Sequence, residues 1–400
     1  MKAVILAAGE GNRMRPLTYT RPKVMLPIAN KPILEHLLVE ARKAAIGEFI
    51  LVIGYHDEQV HDYFGNGDKW GVRIDYCTQR RQLGTADALK MVEGLVDGNF
   101  LMINGDIIVN EDELNKLTSH NGNTLSIVEV EDARNLGAVE LREDKVVRIY
   151  EKAEKPPSRM ANAGLYLLTP DIFGAISQTS KSPRGEYEIT DSLQLMIDKG
   201  YNISYQEIGY WLDLSWPWEL LPANESLLSK IEPQNLGEVE EGVVIKGKVS
   251  IGRNTLVRSG SYIVGPTIIG QDCEIGPNCY IRPCTSIGDS CHIGSAVEIK
   301  NSIIMGGSKI PHQNYVGDSI IGEECNLGAG TKIANLRLDK GEIWVAGINT
   351  KRRKLGAIMG DRVETGINAG INVGSVIGNS VHIGPGAIVS GIISPNSRIF

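Results

Sequence analysis

Two hydrophobic rhythms follow one another along this chain. From residue 2 to about residue 220, short apolar runs rich in β-branched residues (Val4-Ile5-Leu6, Phe49-Ile50-Leu51-Val52-Ile53, Phe100-Leu101-Met102-Ile103) alternate with longer amphipathic stretches such as Pro32 to Ala45. A strand-length apolar run followed by a helix-length amphipathic stretch is the pattern of a βαβ unit, so this part predicts an α/β domain with a mostly parallel sheet. Ligands of such sheets bind at the carboxyl ends of the strands, which puts the chemistry in the loops after those runs. Residues 221–241, LPANESLLSKIEPQNLGEVEE, turn polar; the linker is placed at 226–241, between a first domain over 1–225 and a second over 242–400.

Beyond the linker the period becomes six. Ile245, Ile251, Val257, Ile263, Ile269, Ile275, Ile281, Ile287, Ile293 and Ile299 recur at every sixth position, and small side chains such as Thr255, Ser261, Thr267, Cys273, Cys279, Thr285, Cys291 and Val297 keep the same period. Glycine often follows the aliphatic directly, as at Gly252, Gly270, Gly276, Gly288 and Gly294. Aliphatic and small residues turned inward, with glycine at corners that need positive φ or close backbone approach, describe a parallel β-helix. The pattern resembles the left-handed hexapeptide β-helix family, in which three hexads close one triangular coil and residues 18 apart stack. The register slips near Met305 to Leu327, breaks between Asn335 and Ala357, where a loop is expected to leave the prism, and returns at Met359, Ile371, Ile377 and Ile383 to run to about Ser390.

Composition narrows the possible partners. A net charge of −7 with acids and bases mixed leaves no basic face for nucleic acid. No stretch of about eighteen apolar residues exists to span a membrane, and the N-terminal run is too short for one, so the chain reads as cytoplasmic. Six cysteines are too few for a disulfide scaffold. Cys273, Cys279, Cys291 and Cys325 crowd together, but each falls in a small-residue slot of the repeat and they read as packed thiols rather than metal ligands.

Chemistry in the first domain begins at the loop after the first strand. Leu6-Ala7-Ala8-Gly9-Glu10-Gly11 lets backbone N–H groups approach a phosphate chain, and Leu6, Ala8, Gly9 and Gly11 are its nucleotide-binding candidates. The third glycine of a dinucleotide fingerprint is absent, its place taken by Met14. Arg13 and Lys23 add two cations that a triphosphate requires and a hydride-transfer site does not.

The loop, Arg13, Pro16-Leu17-Thr18 and Pro22-Lys23 together resemble the sugar-phosphate nucleotidylyltransferase family, which implies a Rossmann-like nucleotidyltransferase domain. The resemblance continues in order along the chain. Gln79-Arg80-Arg81-Gln82-Leu83-Gly84-Thr85-Ala86 is similar to the base-reading segment, with Gln79 or Gln82 and the Gly84 backbone meeting a pyrimidine edge beside Thr85. Asp106 in Asn104-Gly105-Asp106 and Asp213 in Trp211-Leu212-Asp213 resemble the two ligands of Mg²⁺, while Gly137, Glu151, Lys152 and Asn162 resemble sugar and sugar-phosphate contacts. The implied reaction is attack of a sugar-1-phosphate oxygen on the α-phosphorus of UTP or dTTP, with pyrophosphate leaving. Arg13 and Lys23 carry the catalytic charges, and no general base is needed because a phosphate monoester is already anionic.

The second domain departs from its own repeat where chemistry is expected. Arg282 and Lys300, 18 apart, replace glycine and should stack on one corner, where two cations repel unless an anion such as phosphate lies between them. Arg282, Lys300, His312, Tyr315, Asn326 and Asn335 resemble the active site of the hexapeptide acetyltransferases that act on glucosamine-1-phosphate. That resemblance implies acetyl-CoA as donor, His312 as the base that deprotonates the sugar amine, the other five as substrate-binding residues, and a homotrimer or a multiple of one. One position departs from that family, which has a lysine six residues beyond Asn335 where this chain has Gly341; Lys351-Arg352-Arg353-Lys354 is read as meeting CoA phosphates, a neighbouring subunit or only solvent. Two other readings stand beside this one: a glucose-1-phosphate thymidylyl- or uridylyltransferase whose β-helix only assembles subunits, and a catalytically silent regulatory subunit. The latter should have lost Arg13, Lys23 or the aspartates, and all are present.

Overall fold

A computed structural model describes residues 1–134 and 136–400. The chain forms two compact units, the first of residues 1–10, 21–25 and 33–213, the second of 11–20, 26–32 and 214–400.

The first unit is built on a nine-stranded sheet. Lys2–Leu6 lies between Glu48–Ile53 and Phe100–Asn104, parallel to both, and Arg73–Thr78 extends the parallel half. Beyond Phe100–Asn104 the sheet reverses: Met160–Leu168 runs antiparallel to it and to Thr124–Glu129, and Gly137–Arg142 forms a hairpin with Lys145–Glu151. The mostly parallel sheet expected from the sequence therefore holds for one half. Apolar runs mark strands without giving their direction, and the hairpin needs only a tight turn, with Glu143 at φ 53°, where a parallel pair would need a crossover helix. Alternate residues feed opposite cores: Ala3, Ile5, Leu101 and Ile103 pack with Leu34 and Leu37, while Val4, Ile50, Val52 and Met102 pack with Leu89 and Phe173.

The second unit contains a left-handed parallel β-helix whose three faces are parallel sheets of nine, nine and eight strands. Ile251, Ile269 and Ile287 stack in register along one face, and the interior is a continuous aliphatic cluster in which Ile275, Ile281 and Ile293 are fully buried. Its first strands, Gln234–Asn235 and Glu238–Val239, already pair with the next coil, so the prism begins inside the segment read as a linker. That coil is polar and largely exposed because it caps the stack, and its polarity hid it.

The slips in the repeat are coils of different length. Ser286 stacks on Ile303 and Ile303 on Ile320, each coil closing one residue early, and Ile320 stacks on Ile358 once the ejected loop is bypassed. The last coil is shorter again, Val376 on Ile392 and His382 on Arg398, so strands continue to Ile399, past the expected end near Ser390. In the ejected loop Trp344–Val345 and Ile348–Asn349 form a small hairpin, with Ile343 and Val345 buried beside Gly374.

Of the two needs named for the corner glycines, close backbone approach holds at most of them and positive φ at Gly276, at 104°. Gly252, Gly270, Gly288 and Gly294 do not adopt positive φ; a Cβ there would collide with the neighbouring coil, at 2.7 Å from Gly306 N in the case of Gly288. The left-handed backbone falls two residues later, at Asn254, Asp272, Asn278, Ser290 and Ala296, with φ of 56–57°. The interior cysteines donate to carbonyls of the adjacent coil, Cys279 to Gly294 O at 2.8 Å and Cys273 to Gly288 O at 3.1 Å. Burial pushes the Cys279 thiol up to about 11 and the Cys325 thiol to about 12. Among the described residues no helix is long and apolar enough to cross a membrane.

Candidate functional site

In the first unit, the ends of the central parallel strands converge. Gly105 N donates to Leu6 O at 2.9 Å, and a Cβ on Gly54 would lie 2.7 Å from Gln79 O and 3.1 Å from Ala8 Cβ. The glycine loop after the first strand, the loop at Gly54 and the segment beginning at Gln79 thus share one crowded point. Gln79 is buried and spends its amide N–H groups on Gly84 O (3.2 Å) and Asp87 Oδ2 (2.7 Å), whereas Gln82 is exposed and reaches Ala8 O at 3.3 Å. Gly84 has φ 115°, and a Cβ on it would meet Tyr187 N at 2.6 Å; the next residue, Thr85, accepts from Ile189 N at 2.9 Å. Sequence reading missed Gly54 and Tyr187 because neither stands in a motif.

Asp106 is ion-paired with Lys23 Nζ at 2.7 Å, and its side chain is 39% exposed. Burial works to raise its pKa, but the Lys23 ammonium, the hydrogen bond it donates and the charge of Lys152 prevail and hold the group below the usual carboxylate range. Asp213 pairs with Ile107 across two short antiparallel strands, so the two expected metal ligands stand at adjoining positions. Glu113, buried, holds the chain before that strand by accepting from Gly209 N and Tyr210 N, both at 3.1 Å, and Trp211 Nε1 donates to Ala163 O at 2.9 Å. Asn104 Oδ1 beside them is a buried acceptor with no hydrogen-bond partner among the described residues. Two carboxylates at a strand end, one held ionised, fit Mg²⁺, which keeps waters and takes phosphate oxygens for its other positions.

The expected sugar contacts come together a short way along the same sheet. Gly137 pairs with Glu151, and a Cβ there would meet Glu151 Oε2 at 3.1 Å and Asn162 Cβ at 3.4 Å. Asn162 donates to Tyr166 Oη at 2.6 Å and accepts from Gly164 N at 2.9 Å. Glu151 accepts from Arg184 at 3.3 Å and Thr190 at 3.2 Å, with Lys152 Nζ at 3.9 Å. Arg184 also binds Glu188 at 2.6 Å. Burial, followed by the charge of Glu151, raises the pKa of Asp191; Glu188 is raised by burial against the pull of Arg184. Arg184, Glu188 and Thr190 were not singled out from the sequence.

Arg13 belongs to the second unit, in a short 3₁₀ turn over Asn12–Met14; it is exposed, and its guanidinium lies 5.4 Å from the Trp216 ring. Gly11, at φ 70°, precedes the turn, and its carbonyl accepts from Thr18 Oγ1 at 2.9 Å.

On the β-helix, Arg282 and Lys300 do stack, following the register of Ile281 on Ile299. They need no intervening anion, because each has its own carboxylate: Arg282 meets Glu298 at 2.9 Å and Lys300 meets Asp318 at 3.4 Å. Lys300, Tyr315 and Asn335 gather around Gly317, where a Cβ would lie 2.7 Å from both Tyr315 Oη and Asn335 Nδ2. His312 ends the strand Lys309–His312 and is exposed, and Asn326 is exposed one coil on, pairing with Lys309. Among the described residues no hydrogen bond joins either side chain to the Gly317 cluster. In the basic run, Arg352 is half-buried, its pKa lowered by burial against the opposing charges of Asp318 and Glu225, while Lys351, Arg353 and Lys354 are exposed.

Fold and sites define a nucleotidyltransferase domain joined to a hexapeptide β-helix that carries a second cluster of polar residues. A family profile described as nucleotidyl transferase matches residues 2–230, and one described as the GMPPB C-terminal domain matches 263–399. The chain is 41% identical to proteins named bifunctional protein GlmU from Methanococcus maripaludis and Methanocaldococcus jannaschii, over 100% of this chain and 97% of each relative. It is 42% identical, over 98% of its length and 97% of the relative's, to a bifunctional sugar-1-phosphate nucleotidylyltransferase/acetyltransferase from Sulfurisphaera tokodaii. Among solved structures, a putative glucose-1-phosphate thymidylyltransferase from Bacillus anthracis superposes with a TM-score of 0.53 at 29% identity, covering 59% of this chain and 98% of that one. The chain belongs to the nucleotidyl transferase family and, within it, to the bifunctional GlmU proteins.

Proposed function

We propose that this enzyme makes UDP-N-acetylglucosamine in two steps, acetylating glucosamine-1-phosphate from acetyl-CoA and then joining N-acetylglucosamine-1-phosphate to UTP. The observation that carries the proposal is full-length similarity to two-activity relatives in a chain that presents both residue clusters. In the acetyl step the free amine of the sugar attacks the thioester carbonyl, His312 takes the proton that the nitrogen loses, the C–S bond breaks, and His312 returns that proton to the departing sulfur so that CoA leaves as the thiol. Arg282, Lys300 and Tyr315 bind the sugar phosphate; Asn326 and Asn335 orient the sugar and acetyl groups. In the uridylyl step a phosphate oxygen bonds to the α-phosphorus and the bond to the bridging oxygen breaks, releasing pyrophosphate. Mg²⁺ at Asp106 and Asp213, when bound, neutralises phosphate charge. Arg13 and Lys23 stabilise the triphosphate, Lys152 and Glu151 hold the sugar phosphate and sugar, and Gln82, exposed, reads the base that Gln79 braces from behind.

The β-helix is assigned to a homotrimer, a reading supported by exposed apolar side chains at Leu338, Ile367 and Ile388, and the substrates place the enzyme in the cytoplasm. Light scattering on the purified protein tests the trimer; a monomer at micromolar concentration refutes it. Supplying acetyl-CoA with glucosamine-1-phosphate should release free thiol, and supplying UTP with N-acetylglucosamine-1-phosphate should release pyrophosphate. Pyrophosphate without thiol would reduce the β-helix to a scaffold.

A further inference from the structure

Asp318 has no place in the roles given so far. The residue is only 3% exposed, and its carboxylate accepts from three side chains: Asn335 Nδ2 at 2.5 Å, Asn301 Nδ2 at 2.7 Å and Lys300 Nζ at 3.4 Å. The backbone is in the left-handed region, φ 50°, which aspartate and asparagine both tolerate. Gly356 N donates to its carbonyl at 2.8 Å, tying the end of the ejected loop to the same residue, and Arg352 of that loop is within electrostatic reach of the carboxylate.

A buried carboxylate is acceptor-only, so whatever faces it must be a donor. An amide has a donor end and an acceptor end. With Nδ2 of Asn335 committed to Asp318, its Oδ1 is the end left to meet a ligand. We infer that Asp318 is a positioning residue for the acetyl-transfer site, fixing Asn335 as a hydrogen-bond acceptor toward an N–H or O–H donor on the substrate and steering the Lys300 ammonium. The inference rests on the acetyl-transfer reading above. A donor held there matches an amine before transfer and an amide N–H after it, whereas an amide free to flip would present its own N–H to that donor in part of the population and hold it poorly.

The test compares the full-length protein with Asp318→Asn and with the exchange Asp318→Asn/Asn335→Asp. The single substitution keeps a side chain that tolerates the left-handed backbone but can no longer accept from all three donors. Acetyl transfer to glucosamine-1-phosphate should fall about 10- to 100-fold, in line with the loss of a supporting partner behind a ligating group, while the KM for acetyl-CoA and the rate of uridylyl transfer stay within about twofold. The exchange restores an oxygen acceptor at position 335 and should recover at least about tenfold of the loss, which a packing role would not produce. Acetyl transfer by Asp318→Asn at the wild-type rate overturns the inference. So does an exchange variant that unfolds at the wild-type temperature yet recovers nothing, and so does loss of folding in both variants, which would make Asp318 a packing residue. Failure of the wild type itself to release thiol would instead sink the acetyl-transfer reading.

Discussion

At the scale of single residues, the first unit turns on a charge held in place. Asp106→Asn leaves Lys23 without its partner and removes a carboxylate proposed to hold Mg²⁺, so uridylyl transfer should drop at least about 100-fold with acetyl transfer unchanged; parallel loss of both would contradict separate sites. Because the folded pKa of Asp106 lies below its ordinary value near ~4, the carboxylate stabilises the fold fully above that value and loses this contribution as pH falls through the folded pKa. Melting curves of wild type and Asp106→Asn should therefore differ by a constant amount from about pH 7 to about pH 5 and converge at lower pH; convergence on the alkaline side instead would reverse the assignment. Gly84→Ala meets both a φ of 115° and the Tyr187 backbone. The expected cost is about 1–3 kcal/mol with a raised KM for the nucleotide, and an unaltered KM would show that the loop does not face it. Lys23, Asp106, Glu151 and Asn162 were legible because they stand in ordered motifs. Asp318, Glu113 and Arg184 were not, since their importance comes from partners far along the chain: Asp318 is one of many polar residues in the left-handed region at the β-helix corners, Asn301 one coil before it among them, and its residue type alone does not set it apart.

At the scale of elements, the six-residue period gave the β-helix faces directly, because a strand of two or three residues per face leaves each aliphatic no choice but inward. Coil length was less legible. A coil that closes one residue early, as when Ser286 stacks on Ile303, shifts every later aliphatic out of frame although its side chain still points inside. The polar first coil and the short last one were hidden for the same kind of reason: each lies at an end of the stack and buries little. Interior positions follow cavity energetics, so Ile275→Ala should destabilise the β-helix by about 2–5 kcal/mol, read from its denaturant midpoint. Gly294 is the more informative position. A Cβ there runs into the Pro311 carbonyl, on the strand that ends in His312, so Gly294→Ala should displace that strand and cut acetyl transfer several-fold while uridylyl transfer is untouched. Retention of full acetyl transfer would mean that the strand gives way without moving His312.

For the molecule as a whole, a linear reading cut the chain once, near residue 226, whereas its compact units divide it differently. Residues 11–20 and 26–32, from the middle of the nucleotide-binding signature, group with 214–400. No pattern along the sequence could show this, because the grouping reflects contacts between residues far apart along the chain. Thr20 Oγ1 donates to Asp361 Oδ2 at 2.5 Å, and Asp361 is itself buried at a β-helix corner, where its other oxygen accepts from Glu323 N at 2.9 Å. Asn30 Nδ2 donates to Ile287 O at 2.6 Å, and Asn224 joins Ala29 N to Cys284 O at 2.8 and 3.1 Å. The segment carrying Gly11 and Arg13 is thus held by the β-helix, and the role proposed for Arg13 makes uridylyl transfer depend on that hold. A hydrogen bond to a charged acceptor contributes about 1.5–3 kcal/mol, part of which should appear as order in the loop. Thr20→Val, which keeps the shape and removes the donor, is expected to lower kcat/KM for uridylyl transfer about 3- to 30-fold and leave acetyl transfer alone; a chain ended at residue 229 should lose the uridylyl reaction further still. Kinetics indistinguishable from wild type in both would show that the segment keeps its shape unaided, and that the β-helix serves the first reaction in no way at all.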